Sequence, residues 1–180
     1  YKTKTLVDAN YKRMLQFSLT KTHAIAANIG IASHNLFDLA YALILIQKES
    51  IQPFCEIEML QGMAENQSNA ILKFHKSLLL YTPIVKKENF KHAIAYLIRR
   101  LEENTTEGNF LRDSFQLNVG SEKWNLQARA FQSSINEIPY LTSKPLRNQQ
   151  KLWKDALHSK SFKNIPNTDW SLPSNQKNLQ

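Results

Sequence analysis

The stretch "IGIASHNLFDLAYALILIQKESIQPFCEIEML", residues 29–60, decides how the chain folds. Its first five residues are a β-prone run, apolar enough for a strand covered on both faces. Asn35 then offers a good N-cap to an apolar helix, "LFDLAYALILIQKE", ending near Glu49. Pro53 interrupts the chain, and "FCEIEML" (54–60) reads as a second strand. Strand, helix and strand in about thirty residues make a βα unit that returns to a parallel neighbour.

The rhythm continues on both sides. Upstream, "DANYKRMLQFSL" (8–19) reads as an amphipathic helix opened by Asp8. Downstream come a helix over 64–76, the strand "LLLYTP" (78–83), again apolar enough to be covered on both faces and closed by Pro83, and a helix over 88–104. Helix, strand, helix, strand, helix, strand, helix predicts an α/β fold with a parallel sheet. Periodicity alone leaves an open doubly wound sheet and a barrel both standing. Three strands cannot close a barrel, which takes eight βα units and about 250 residues, so a barrel reading makes this segment part of one.

From residue 107 the character changes. "EGNFLRDSFQL" (107–117) and "SEKWNLQARAFQSSI" (121–135) predict two further helices, the second capped by Ser121 with Trp124 and Phe131 on its apolar side. After Pro139 the chain turns polar and irregular, and four of the six prolines fall in this last quarter. Three parts are expected: 1–117, an extra helix within 118–137, and 138–180 as linker or the opening of another domain.

Composition narrows the function classes. At 180 residues, 42% hydrophobic and 21% charged, the chain can bury a core and is not expected to be disordered. No apolar run approaches the roughly 18 residues of a membrane-spanning helix. The single cysteine, Cys55, excludes an internal disulfide and reads as core. The net charge of +8 points to anionic partners, but lysines and arginines are scattered from Lys2 to Lys177, so nucleic-acid binding is not expected. Four glycines, at 30, 62, 108 and 120, build neither a dinucleotide fingerprint nor a P-loop. His23, His75, His92 and His158 have no metal-ligand spacing, and no metal is expected.

The chemistry concentrates on the helix 88–104. Phe90, Ile94, Leu97 and Leu101 form one stripe, read as the core face, while Tyr96, Arg99, Arg100 and Glu103 gather on the neighbouring face. An Arg99–Glu103 ion pair accounts for part of this at a few tenths of a kcal/mol. Adjacent guanidiniums repel, however, and a shared carboxylate or phosphate relieves that with bidentate hydrogen bonds. A solvated helix face and an anion clamp both remain. One form of the clamp is a non-enzymatic module that holds phosphate, peptide or nucleic acid through Arg99 and Arg100. In parallel α/β proteins ligands bind at the carboxyl ends of strands, and here those ends carry Ser33-His34-Asn35, Glu58 with Leu60, and Tyr81.

These residues match a known pattern. "YTPIVKKENFKHAIAYLIRRLEENTTEGNFLRDSF" (81–115) closely resembles the end of the proline dehydrogenase barrel in the bifunctional proline utilisation flavoenzymes (PutA). "IASHNLFDLAYAL" and "EIEMLQGMAENQ" resemble the preceding barrel segments in order and spacing, and "NIPNTDWSLPSNQ" is similar to the approach to the aldehyde dehydrogenase module. The resemblance implies the C-terminal part of a distorted (βα)8 TIM-like barrel, followed by extra helices and an irregular linker. It implies noncovalent FAD, oxidation of L-proline to 1-pyrroline-5-carboxylate, and delivery of electrons to membrane quinone. A separate NAD-dependent module of the same polypeptide would oxidise the semialdehyde to glutamate.

Carried over residue by residue, Arg99 and Arg100 match the pair that grips the proline carboxylate. Tyr96, Tyr81 and Leu60 match residues packing around the proline ring, and Glu103 matches a supporting ion-pair carboxylate. Ser33, His34 and Asn35 match the loop holding the cofactor's adenosine end, and Lys4 in "YKTK" matches another cofactor contact. Ser33 stands where some relatives have Thr, and Glu58 where some have Gln. No general base is assigned. The expected setting is cytoplasmic, with peripheral association at the inner face of the membrane left open. The segment that lies against the flavin's reactive nitrogen and the aldehyde dehydrogenase core are not among these 180 residues. The isolated chain is therefore expected neither to hold FAD tightly nor to oxidise proline.

Overall fold

A computed structural model describes residues 1–114 and 117–143. Lys2–Leu141 form one compact unit. The readings made for 144–180, including the approach to an aldehyde dehydrogenase, lie outside the described residues.

The unit opens with α1 (Lys4–Ser18) and α2 (Lys21–Ala27), then alternates β1 (Ile29–Ala32), α3 (Leu36–Glu49), β2 (Cys55–Leu60), α4 (Glu65–Ile71), β3 (Leu78–Tyr81) and α5 (Phe90–Thr105). Two more helices follow, α6 (Phe110–Ser114) and α7 (Glu122–Glu137). The α/β expectation holds. All strand pairs are parallel, Ala32 is level with Glu58 and Leu60 with Tyr81, and the order β1-β2-β3 is also the chain order. Each crossover thus advances to the next neighbour, as in a barrel wall, with no reversal of the kind that marks a doubly wound sheet.

Local chemistry explains most element boundaries. The Asn35 Oδ1 accepts from the Phe37 amide and caps α3, while Asp38 in its first turn and Lys48 in its last complement the helix dipole. Ser50 ends α3 in the left-handed region at φ 54°. Ser121 caps α7 through the Trp124 amide at 3.1 Å, as expected. Asp8 is not the cap of α1. Thr3 is, accepting from the Leu6 amide, and Asp8 lies a turn inside the helix, ion-paired with Lys4 at 2.6 Å. The helix starts four residues earlier than read because Thr3, like Asp8, is a good capping residue, and the Lys4–Asp8 pair supports the extra turn. α2 was not read at all. With seven residues it is too short to show an apolar period. α4 stops short of its expected span, at Ile71, and α6 is described over Phe110–Ser114.

The core lies on one side of the sheet. Cys55, Ile57 and Met59 alternate inward along β2 and meet Ile31, Leu39, Ala42 and Ile46. Along the outer side, α7 packs on α1 and α3, with the Phe37 ring 4.9 Å from Trp124 and Tyr41 5.8 Å from Phe131, centroid to centroid. Such pairs contribute about 0.5–1.5 kcal/mol each beyond burial.

Two burial expectations are corrected. β1 buries one face only and β3 is largely exposed, because both are edges of the three-stranded sheet formed by the described residues. The stripe of α5 assigned to the core is also exposed, at 61% for Phe90 and 58% for Leu101, and Ala93 alone is buried on that helix. Apolar period identifies a face that seeks cover. It does not supply the cover.

Candidate functional site

The carboxyl ends of the three strands come together through side chains. At the end of β1 the Ser33 Oγ accepts from the Asn35 amide at 3.1 Å, and Asn35 turns to cap α3. Between them His34 reaches across to β2, where its Nε2 accepts from the Leu60 amide at 3.0 Å. That bond needs a free lone pair on Nε2, so His34 is neutral with its proton on Nδ1, and burial lowers its pKa below the ordinary value. Leu60 is level with Tyr81 on β3, whose ring lies 6.3 Å from that of Tyr96 on α5.

Tyr96 connects to the arginines. The Arg100 guanidinium carbon lies 5.3 Å from the centre of the Tyr96 ring, and its Nη2 donates to the Glu103 Oε1 at 2.6 Å. The expected Arg99–Glu103 pair is therefore replaced by Arg100–Glu103. Arg100 sits one turn beyond Tyr96, so stacking on that ring holds its fork beside Glu103 at i,i+3. The Arg100 Nε is buried and has no hydrogen-bond partner. Arg99 is exposed, and among the described residues no ion pair or hydrogen bond to it is found. The Glu102 backbone carbonyl accepts from the Thr105 hydroxyl at 2.8 Å.

Lys4 lies elsewhere. Its stem runs against Gly108, and it lines a cleft of about 500 Å³ with Asn35, Arg112 and Lys123, where the carboxylates of Asp8, Glu107 and Asp113 also stand. Two of the residues assigned to the cofactor, Lys4 and Asn35, thus share the wall of one cleft of mixed charge, whereas Ser33 and His34 belong to the strand-end cluster. Glu58 is one layer below Leu60, and its carboxylate fills the space that a Cβ on Gly30 would need. Among the described residues no group of three metal-ligating side chains occurs.

The sequence reading passed over a buried ion pair. Lys12 on α1 and Asp38 on α3 meet at 2.7 Å with side chains 2% and 10% exposed, and the Lys12 Nζ stands 4.8 Å from the Phe131 ring centre. Burial raises the Asp38 pKa against the pull of Lys12. The signal was a single charge inside each apolar stripe: Lys12 between Ala9 and Leu15, and Asp38 ahead of Leu39 and Ala42.

The family model described as proline dehydrogenase matches residues 1–113. The chain belongs to the proline dehydrogenase family. The match ends within α6, so α7 lies outside it. Among solved structures, Proline Utilization A (PutA) from Corynebacterium freiburgense is similar, with 32% identity and a TM-score of 0.69 over 98% of this chain. The chain spans 15% of the length of that protein. No curated protein sequence matches it. For this proline dehydrogenase segment the barrel reading is thereby secured, and no helix among the described residues is long and apolar enough to cross a membrane.

Proposed function

We propose that the chain is the substrate-gripping side of an FAD-dependent proline dehydrogenase, within a bifunctional enzyme of the PutA kind. The observation that supports the reading is Arg100 against the Tyr96 ring, which itself lies beside Tyr81 at the carboxyl end of β3, with a buried Arg100 Nε that has no hydrogen-bond partner. A partnerless buried guanidinium nitrogen costs about 1–3 kcal/mol, which an incoming anion offsets. Proline's carboxylate fits the planar fork.

In this reading Arg99 and Arg100 hold the carboxylate, and Glu103 keeps the Arg100 fork from swinging away. Tyr81, Tyr96 and Leu60 exclude water from the apolar ring of the substrate. His34 is no base on its Nε2 side, because the Leu60 amide occupies that lone pair; its Nδ1–H is a donor.

The residues present suit FAD. The cleft offers Lys4, Arg112 and Lys123 to a diphosphate, beside the carboxylates of Asp8, Glu107 and Asp113, and the Ser33–Asn35 loop, tied to β2 through His34, would receive the adenosine end. FAD, when bound, supplies the two-electron acceptor for the oxidation of proline to 1-pyrroline-5-carboxylate. Passage of electrons to membrane quinone, NAD-dependent oxidation of the product in another module, and a cytoplasmic setting with peripheral membrane contact belong to the same proposal.

The test is Arg99→Met in the complete gene product. KM for L-proline rises about tenfold or more while FAD content stays near the wild-type level. An unchanged KM refutes the clamp.

A further inference from the structure

Tyr11 and Lys12 are neighbours on α1, and each reaches a different end of the Ser33–Asn35 loop. The Tyr11 hydroxyl donates to the Ala32 carbonyl at 3.1 Å, immediately before Ser33. The Lys12 Nζ meets Asp38 at 2.7 Å, three residues beyond the cap Asn35. Phe131 of α7 closes over this ion pair, and Arg13, the next residue, donates to the Asn10 Oδ1 and to the Leu141 carbonyl beyond α7. The loop is thus clamped from one helix turn, fore and aft, and its middle is tied to β2 through His34 and Leu60.

Stability does not account for the arrangement. Desolvating a lysine and an aspartate costs several kcal/mol each, and apolar residues of the same volume commonly serve as well or better. What this ion pair adds is a fixed separation of α1 from the start of α3, held by the Lys12 Nζ–Asp38 Oδ1 contact. In the folds where such a role is well attested, a buried polar contact sets register rather than raising stability.

We propose that Tyr11 and Lys12, with Asp38, are positioning residues that set the Ser33–Asn35 loop against the end of β2 and thereby tune affinity for the adenosine portion of the flavin nucleotide. The second half of this statement rests on the proposed function; the first does not. Neither side chain needs to touch the cofactor. They act through the loop.

Four variants of the complete gene product test it: Tyr11→Phe, which removes one anchor with little change of shape, and Lys12→Met and Asp38→Leu, first singly and then together. The single variants leave a buried charge and are expected to lower the melting temperature or fail to fold. The double variant removes both charges and keeps the melting temperature within a few degrees of wild type. Two measurements follow on Tyr11→Phe and on the double variant. Amide hydrogen exchange of residues 32–37 in the flavin-free protein rises about tenfold, with exchange in the core of β2 unchanged. FAD affinity, measured by quenching of flavin fluorescence on binding, weakens about tenfold, while KM for proline at saturating FAD moves less than twofold.

Loop exchange equal to wild type in a folded double variant overturns the brace. Faster loop exchange with unchanged FAD affinity upholds the brace and overturns its link to the cofactor. Wild-type protein that binds no FAD overturns the proposed function, and the exchange result still decides the brace.

Discussion

Arg100→Met separates two contributions that one side chain makes. Toward a bound carboxylate, Arg100 offers a charged fork whose buried Nε has no partner within the protein. A hydrogen bond between charged partners contributes about 1.5–3 kcal/mol, so its loss raises KM for L-proline about 10- to 150-fold. Toward the fold, the same residue contributes little. Its Glu103 partner is half exposed and lies at i,i+3, which limits the ion pair to under about 0.5 kcal/mol. Stacking on Tyr96 at 5.3 Å adds about 0.5–1 kcal/mol. Binding is therefore expected to suffer far more than stability, with a melting shift of only a few degrees.

The assay is steady-state turnover of L-proline by the complete gene product with an artificial electron acceptor, alongside thermal unfolding and flavin content. Met keeps the length and the apolar stem, so packing on Tyr96 survives in part. Arg100→Lys is the control. It keeps the charge and loses the fork, and its KM falls between wild type and Arg100→Met. A KM within about twofold of wild type at full flavin occupancy refutes the clamp, because a solvated helix face predicts that outcome.

Three further outcomes follow from other parts of the structure. His34 has its pKa lowered by burial, so as pH falls through the ordinary value of 6.5 the unfolded chain takes up the proton first. Its contribution to stability is present above that value and lost below it: urea midpoints between about pH 7.5 and 5 should fall more steeply for wild type than for His34→Asn, and equal slopes would count against the Nε2–Leu60 bond. Gly30→Ala drives a methyl into the Glu58 carboxylate, the far end of a flexible side chain that can swing aside, and should cost less than about 1 kcal/mol; a loss of about 3 kcal/mol or more, recovered when Glu58→Ala is added, would show that the carboxylate is held in place. Cys55 is buried and its thiol pKa is pushed up by burial, so maleimide labelling should track unfolding. Rapid labelling of the folded protein would show that the thiol reaches solvent.

Periodicity made the sheet legible because each strand of a βα unit is bounded by its own punctuation. Asn35 and Pro53 mark the two ends of the α3 crossover, and the parallel pairing of β1 with β2 follows from them. Side-chain chemistry at the strand ends was legible for the same reason, since a residue's place in a strand fixes its level in the sheet. Leu60 and Tyr81 were assigned to one substrate wall and are in fact level. What periodicity cannot carry is the choice between equivalent partners. Glu103 can pair at i,i+3 or i,i+4, and the Tyr96 ring decides for Arg100. Thr3 and Asp8 can both cap a helix, and a lysine one position after Thr3 decides that contest by pairing with Asp8. The Lys12–Asp38 pair joins two elements 26 positions apart, a distance at which no local pattern operates.

The exposed side of α5 follows from the same logic carried one step further. Ile94, Leu97, Ile98 and Leu101 repeat as a buried helix face would, yet each is exposed, and on β3 Leu79 and Leu80 are exposed beside them. An apolar surface of this kind is expensive to leave in water at about 25 cal/mol per Å². In a barrel of eight βα units, three strands are less than half the wall, and the edge strand and the last helix are where the remaining wall must press. The two arginines therefore stand on the helix of this segment whose position depends most on residues beyond it. α5 meets β3 through Tyr96 and Tyr81, and Asn104 reaches Met63 at 3.5 Å, but the stripe that would fix its rotation has no cover among the described residues. The clamp is thus written in the local sequence, while the precision with which it closes depends on a surface that only the assembled barrel supplies.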